Sequence, residues 1–134
     1  MVGIMKFSTK AEYGLRAIVK LDKTGKKPVS LALIAKDEKI SLAYLERLFS
    51  CLKKANLVKA DLGMRGGYYL AKPAKSITVL EILEALEGTV APMNCVGTGA
   101  TCHTCNCRIH PVWTKLNEQI VKTLKAIKLN NLMK

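Results

Sequence analysis

The fold is decided by the stretch SLAYLERLFSCLKKANLV, residues 41–58. Ser41 is suited to cap the start of a helix, because its hydroxyl can accept a hydrogen bond from the first turn. Leucines follow at intervals of three and four residues and therefore share one helical face: Leu45, Leu48 and Leu52. That face is predicted to be core. Cys51 lies beside it and is predicted to be a buried thiol with no role as a metal ligand.

Two more helices are predicted upstream of this stretch. Thr9 and Glu12 form a capping-box pattern at the start of the first helix, whose apolar face ends near Gly25. A shorter helix begins at Ser30 and breaks at residues 39–40. This short helix and the one that starts at Ser41 stand in tandem, which is typical of a helix-turn-helix.

The positive charge of the chain is concentrated in its first half. The net charge is +12. Residues 1–75 carry sixteen Lys and Arg against six Asp and Glu, whereas residues 76–134 carry six against four. Such a field favours a polyanionic partner. Nucleic acid is favoured over a membrane surface, because no helix in this half joins a broad apolar face to a purely basic one.

The helix of residues 41–58 is the predicted DNA-reading element. The face opposite its leucines carries small and polar side chains, which leave it able to enter the DNA major groove, about 12 Å wide. Arg47 is the side chain expected to read a base edge, while the lysines at the helix end are expected to contact phosphates. The candidate DNA-binding residues of this element are Ser41, Ala43, Tyr44, Glu46, Arg47, Lys53 and Lys54.

A β-hairpin is predicted immediately after this helix. Two short runs, residues 58–62 and 68–71, flank the sequence GMRGG, in which three glycines are expected to allow a tight reversal with positive φ. A hairpin that follows a helix-turn-helix is a wing. Arg65 at its tip can reach into a minor groove or along phosphates. Met64, Arg65 and Gly66 are therefore candidate DNA contacts.

Residues 76–134 are predicted to form two helices joined by a loop at about residues 89–110. Thr78 and Glu81 open the first helix with a capping box, and Gly88 ends it. Pro111 suits the first turn of the second, long helix. An apolar stripe along that helix is predicted to pack against a second copy of the chain, with packing on its own domain as the alternative. Its members are Trp113, Leu116, Ile120, Leu124 and Ile127.

The loop between these helices is rich in cysteine. Four of the five cysteines and both histidines fall within CVGTGATCHTCNCRIHPVW, residues 95–113. Thiolates and imidazole on a flexible loop are typical of a soft-metal site, holding an iron-sulfur cluster or zinc. An odd number of cysteines argues against a disulfide framework. We found no signal-like or membrane-spanning run and no catalytic arrangement, so a cytoplasmic protein that is not an enzyme is expected.

The chain resembles the IscR/NsrR-type winged-helix transcription regulators of bacteria. The resemblance is carried by MKFSTKAEYGLRA from Met5, by residues 41–58, by GMRGGYYLAKP, by ITVLEILEALEG, and by three cysteines before HPVW. It implies a mainly α fold with a small β-hairpin wing. It also implies a homodimer whose two winged helix-turn-helix heads bind a palindromic operator, with residues 1–75 binding DNA and residues 76–134 supplying a long C-terminal dimerisation helix.

The resemblance further implies that the loop holds an iron-sulfur cluster, 2Fe-2S in preference to 4Fe-4S. The family's ligand positions correspond to Cys95, Cys102, Cys107 and His110. The spacing departs from the family's, and the additional Cys105 is an alternative ligand. Another alternative is Glu12, at the position where NsrR-like relatives offer a carboxylate from the partner subunit. In the wing, the chain has Leu62 where the family often has Arg.

Two other functions compete with this one. The same DNA-binding fold could hold zinc or use its cysteines as thiol sensors. An electron-transfer protein that does not bind DNA is the second alternative, but the bacterial ferredoxin spacing C-x2-C-x2-C-x3-C-P is absent.

Overall fold

The computed structural model describes residues 7–21, 23–61, 63, 66–93, 96 and 108–133. These residues form six α-helices, a short 3-10 helix and one two-stranded sheet. The elements in chain order are α1 (Thr9–Ile18), α2 (Leu31–Glu38), α3 (Leu42–Lys54), β1 (Val58–Asp61), β2 (Gly67–Leu70), the 3-10 helix (Ala74–Ser76), α4 (Val79–Glu87), α5 (His110–Ala126) and α6 (Leu129–Leu132).

Helix α1 begins one residue earlier than its capping-box pattern predicted. Ser8 has extended backbone angles, and its hydroxyl accepts a hydrogen bond from the Lys10 N–H at 3.2 Å. Thr9 is thus the first helical residue, so the predicted box with Glu12 is wrong. The Glu12 carboxylate instead forms an ion pair with Arg16 one turn later, at 3.4 Å. The helix ends at Ile18, well before Gly25.

The tandem helices α2 and α3 form as predicted. The Ser30 hydroxyl accepts a hydrogen bond from the Ala32 N–H at 3.2 Å, and the Ser41 hydroxyl accepts one from the Tyr44 N–H at 3.1 Å. Between the two helices, Lys39 adopts a left-handed conformation with φ of 56°. This single residue ends α2 and redirects the chain into α3.

The β-hairpin is confirmed, with the first strand ending one residue earlier than predicted and the second shifted by one residue toward the N-terminus. Val58 pairs with Leu70 and Asp61 with Gly67 in an antiparallel register. Positive φ is recorded at none of Gly63, Gly66 and Gly67, so the prediction that positive φ at the glycines makes the reversal is not confirmed. The Asp61 carboxylate instead helps form the reversal by accepting a hydrogen bond from the Gly63 N–H at 2.9 Å.

Gly67 is required where the hairpin meets the segment before α2. Tyr68 and Val29 exchange two backbone hydrogen bonds of 2.9 Å, so Val29 extends the small sheet. A Cβ atom on Gly67 would lie 2.6 Å from the Val29 carbonyl oxygen, closer than van der Waals contact allows. The absence of a side chain therefore permits the hairpin to pack against the helix-turn-helix.

One large core joins the elements. It includes Ile18 from α1, Ile34 from α2 and Phe49 from α3, together with Ile82 and Leu86 from α4. Leu45, Leu48 and Leu52 are buried in it as predicted, and Cys51 is half-buried at its edge rather than fully buried. This core contains residues from both sides of position 75.

The end of the chain returns to this core. Thr78 and Lys128 form an isolated antiparallel bridge, in which the Leu129 N–H donates to the Ile77 carbonyl at 2.8 Å. Leu129 and Met133 are consequently buried in the large core. Helix α5 ends at Ala126, so Ile127 lies in this bridge and not on the long helix, where the sequence pattern had placed it.

Candidate DNA-binding face and cysteine-rich segment

The exposed face of α3 contains the residues predicted to bind DNA. Ala43, Glu46, Arg47, Lys53 and Lys54 are all exposed, and Ser41 is exposed at the N-cap. Tyr44 is half-buried and packs edge-on against Tyr13, with ring centroids 6.4 Å apart. The buried leucines hold the opposite face of α3 in the core, so the orientation of the exposed face is set by packing.

The cations of this face are free to contact an anion. Arg47, Lys53 and Lys54 form no ion pair with any other residue that the structure describes. By contrast, Arg16 on α1 and Lys20 in the turn after it both pair with Glu38, at 3.6 and 3.9 Å. The exposed face of α3 therefore presents positive charge that no described carboxylate compensates.

The wing is described only in part. Gly66 is exposed at the reversal and donates its N–H to the Gly63 carbonyl at 3.0 Å. Met64 and Arg65, the other two predicted contacts, lie outside the described residues.

The four loop cysteines, Cys95, Cys102, Cys105 and Cys107, also lie outside the described residues. The structure does describe where this segment leaves and rejoins the fold. It leaves after Gly88, whose φ of 86° ends α4, and it rejoins at α5, whose first residue is His110. The imidazole of His110 is half-buried, and its Nδ1 atom is buried without a hydrogen-bond partner in the described part of the chain.

Glu12, the alternative ligand, is exposed on α1 and contacts Arg16. The start of α1 is also tied to the end of α4, because the backbone N–H and the hydroxyl of Ser8 both donate to one oxygen of the Glu87 carboxylate. The DNA-binding half and the entrance to the cysteine-rich segment are thus joined directly. Sequence reasoning missed this contact, since the two residues lie far apart in the chain.

The apolar stripe of α5 is divided between two environments. Ile120, Leu124 and Ile127 are half-buried against a second, smaller core that includes Leu80 and Leu83 of α4. Packing on the chain's own domain therefore accounts for this part of the stripe. Trp113 and Leu116 are half-buried but belong to neither of the two cores formed by the described residues. Every described residue of α5 keeps at least part of its surface exposed.

An open apolar groove of about 460 Å³ lies beside α5. Phe7 and the segment after α4 form one side, and Ile120 and Leu124 form the other. Phe7 is 46% exposed, which is high for an aromatic side chain next to an apolar surface. The apolar walls of the groove extend the smaller core toward solvent.

Comparison with known proteins identifies the architecture. A family profile described as "Rrf2: Iron-dependent Transcriptional regulator" matches residues 7–134. The chain belongs to the Rrf2 family. The HTH-type transcriptional regulator IscR of Cereibacter sphaeroides is 42% identical over 97% of this chain and 88% of that protein. The IscR of Klebsiella pneumoniae is 37% identical over 96% of this chain and 80% of that protein.

Solved structures of the same family have the same fold. CymR of B. subtilis, described as the global cysteine regulator, matches with a TM-score of 0.79 and 32% identity over 96% of both chains. IscR of T. potens matches with a TM-score of 0.76 and 35% identity, over 96% of this chain and 85% of that one. The predicted fold class, mainly α with a winged helix-turn-helix, is confirmed.

Family membership makes this chain a transcriptional regulator of the Rrf2 type, and such a regulator acts by binding DNA. The family consists of regulators, which points away from catalysis. Within the described residues, we found no helix long and apolar enough to cross a bilayer.

Proposed function

We propose that the chain is a homodimeric, cytoplasmic regulator that binds a palindromic operator and responds to an iron-sulfur cluster held by its cysteine-rich segment. The sensing part of the proposal is carried by one observation. The segment containing four cysteines leads directly into α5, where the His110 Nδ1 atom is buried and has no partner among the described residues. A neutral imidazole nitrogen without a hydrogen-bond partner can donate its lone pair to a metal ion.

DNA recognition is assigned to α3 and the wing. Helix α3 combines an exposed small-residue surface at Ala43 with Arg47, whose guanidinium is not neutralised by any described carboxylate. Arginine can form two hydrogen bonds with a guanine edge, whereas a lysine contributes mainly charge. Arg47 is accordingly the base-reading residue, and Lys53 and Lys54 contact phosphates. Met64, Arg65 and Gly66 complete the interface from the wing.

The residues present fit an iron-sulfur cluster. Thiolates are its usual ligands, and histidine can replace cysteine on one iron. The proposed set is Cys95, Cys102, Cys107 and His110, with Cys105 as the spare thiol. Glu12 is the weaker candidate for the fourth position, because its carboxylate already has a cationic partner in Arg16. When bound, the cluster supplies a one-electron redox centre.

The segment can affect DNA binding because of what lies at its two ends. Glu87, one residue before Gly88, holds the Ser8 cap of α1. At the other end, the segment sets the start of α5, the proposed dimerisation helix. Ordering of the segment would therefore fix the angle between the two DNA-binding heads. A coupling of about 1 to 3 kcal/mol between the segment and the operator is expected.

A thiol-based sensor with the same fold is the second candidate. It is favoured by the similarity to CymR, since one matching structure is the oxidized form of Staphylococcus aureus CymR, at 29% identity. In that case the cysteines would act without a metal, and operator binding would depend on thiol oxidation.

One experiment separates the candidates. The protein is purified without oxygen, and its visible spectrum, iron, sulfide and zinc contents are measured. A coloured protein containing iron and sulfide supports the cluster. A colourless protein that contains zinc, or no metal, contradicts it and favours the second candidate when oxidants change DNA binding.

Single Cys→Ala variants test the ligand set. Variants at Cys95, Cys102 and Cys107 should lose iron after anaerobic reconstitution, whereas Cys105→Ala should retain it. Cys51→Ala is the matched control, because Cys51 lies at the edge of the main core. Loss of iron in Cys105→Ala together with its retention in Cys102→Ala would make Cys105 the true ligand.

A further inference from the structure

Glu38, the last residue of α2, carries a carboxylate that is largely removed from solvent. Only 12% of its side chain is exposed. Arg16 on α1 lies 3.6 Å from one carboxylate oxygen, and Lys20 in the turn after α1 lies 3.9 Å from the other. The side chains of both cations are far more exposed, at 57% and 45%. These three residues, the Glu38 cluster, tie α1 to the end of α2.

Local energetics disfavour a carboxylate at this position. The C-terminal end of a helix carries partial negative charge from its carbonyl groups, and this charge repels a carboxylate. Removing the carboxylate from water adds a desolvation cost. Arg16 and Lys20 offset both costs from outside α2. Glu38 is thus stabilised by the tertiary structure against its local preference, and such conflicts are expected at functional positions.

The turn of the helix-turn-helix begins directly after Glu38. Lys39 has φ of 56°, in the left-handed region that a lysine rarely adopts. The Ile40 N–H donates to the Ala35 carbonyl at 3.1 Å and closes the end of α2. Ser41 then caps α3. Because the turn is this short, a displacement of the end of α2 is passed on to the start of α3.

Helix α1 gives the Glu38 cluster a firm support. Ile18 of this helix is fully buried in the large core, and Tyr13 packs edge-on against Tyr44 of α3. Arg16 also pairs with Glu12 one turn earlier, at 3.4 Å, which helps to orient its guanidinium. The cluster therefore fixes the end of α2 relative to a helix that itself contacts α3.

We propose that Glu38 is a positioning residue for DNA recognition, which acts through Arg16 and Lys20 to hold the helix-turn-helix at the angle at which Arg47 reads a base edge. This inference rests on the proposed function, which assigns base reading to α3. A side chain in a recognition site must be held within about 0.5 Å of its productive position. A phosphate contact depends mainly on charge and carries no sequence information. Loss of the cluster should therefore reduce discrimination between DNA sequences.

Glu38→Gln removes the charge while preserving the shape of the side chain. Operator duplexes are selected from random sequences with the wild-type, full-length protein, purified without oxygen. Fluorescence anisotropy then gives the ratio of affinities for a selected and a random duplex. This ratio should fall roughly 2- to 30-fold in Glu38→Gln, the range for residues that act through packed neighbours. Arg16→Gln leaves Glu38 with Lys20 alone and should lower the ratio in the same direction.

Asp37→Asn is the matched control for charge. Asp37 is the exposed neighbour of Glu38 and forms no ion pair with any residue in the described ranges. Its substitution changes the net charge by the same unit and leaves the Glu38 cluster intact. Both substitutions should strengthen binding to random DNA alike, because each removes a negative charge. Only Glu38→Gln should lower the ratio.

Combination with Arg47→Ala separates positioning from a purely structural role. If Glu38 acts by placing the Arg47 side chain, Glu38→Gln should lower the ratio much less in a protein that already lacks that side chain. Thermal unfolding of each variant identifies a temperature at which all of them are folded, and binding is measured below it. A change in stability alone would not depend on the presence of Arg47.

The expected pattern is a lower ratio in Glu38→Gln and Arg16→Gln that depends on Arg47. A wild-type ratio in folded Glu38→Gln or in Arg16→Gln would overturn the inference, as would a fall of equal size with and without Arg47. An equal fall in Asp37→Asn would also overturn it, because charge alone would then explain the effect. Wild-type protein that selects no preferred sequence, or equal losses on both duplexes for Arg47→Ala, would instead contradict the assignment of base reading to α3.

Discussion

Gly67 shows how one residue determines the position of the wing. Its Cα faces the backbone of Val29, and the adjacent Tyr68 is hydrogen-bonded to that residue. Gly67→Ala should destabilise the protein by about 1 to 3 kcal/mol, because the added methyl group must push the two backbone segments apart. Urea unfolding followed by circular dichroism measures this loss.

Gly66→Ala is the matched control at the neighbouring position. Its Cβ would meet the Asp61 carbonyl oxygen at 3.4 Å, which is ordinary contact, and Gly66 has no positive φ. Its effect on unfolding should be much smaller. Equal destabilisation by the two substitutions would show that the hairpin is sensitive to loss of glycine as such, and not to the approach of Val29.

Ser8 is a second case in which a single residue matters. Ser8 and Thr9 can both cap a helix, so local propensity does not distinguish them. In the folded chain Ser8 also donates to the Glu87 carboxylate at the end of α4. This long-range contact favours Ser8 as the cap and frees Glu12 from the predicted box.

Helix α3 has two faces with separate roles. Its leucine face packs in the core, and its exposed face is proposed to bind DNA. Arg47→Ala should cost about 1 to 3 kcal/mol of binding to the operator and should reduce discrimination against random DNA, because a base contact is lost. Lys54→Ala should weaken binding to both kinds of DNA alike and reduce the salt dependence, because only a phosphate contact is lost.

Fluorescence anisotropy with selected and random DNA duplexes at several salt concentrations distinguishes the two effects. Equal losses on both duplexes for Arg47→Ala would make it a phosphate contact. Both side chains are exposed, so neither substitution should change the unfolding midpoint.

Helix α6 is short, yet it contributes a fully buried side chain to the main core. Leu129→Ala should destabilise the protein by about 2 to 5 kcal/mol, because it leaves a cavity where Leu129 is now 0% exposed. Leu132→Ala in the same helix is the control, since Leu132 is 42% exposed and should contribute little. Comparable melting temperatures for the two variants would contradict the anchoring of α6.

At the scale of the whole molecule, α5 determines the proposed assembly. Leu116 is half-buried, belongs to neither described core, and lies on the apolar stripe. Leu116→Glu should therefore give monomers, because a carboxylate would be buried in the seam between two copies. Each monomer would hold one half-site, so affinity for a palindromic operator should fall steeply.

Light scattering measures the mass of this variant. Lys122→Glu places the same carboxylate on the exposed side of α5 and should leave the dimer intact. Ile120→Glu is a less direct test, since Ile120 also packs on the smaller core of its own chain. A dimeric mass for Leu116→Glu would assign the whole stripe to contacts within one chain.

Local patterns were sufficient to predict helices α1 to α5, the hairpin and the exposed face of α3, but not the short helix α6. The leucine spacing from Leu45 to Leu52 and the caps at Ser30 and Ser41 depend on neighbours within one or two turns, so they can be read directly from the residues. The proposed ligands are likewise a matter of sequence, because they concern which residue types occur and at what spacing.

Contacts between distant segments could only be decided by the tertiary structure. The Gly67 approach to Val29, the Ser8 link to Glu87 and the return of Leu129 to the core each join residues far apart in sequence. The same holds for the division of the α5 stripe between the smaller core and the surface. Periodicity shows that a helical face is apolar, but the surface that covers it depends on how all the elements pack together.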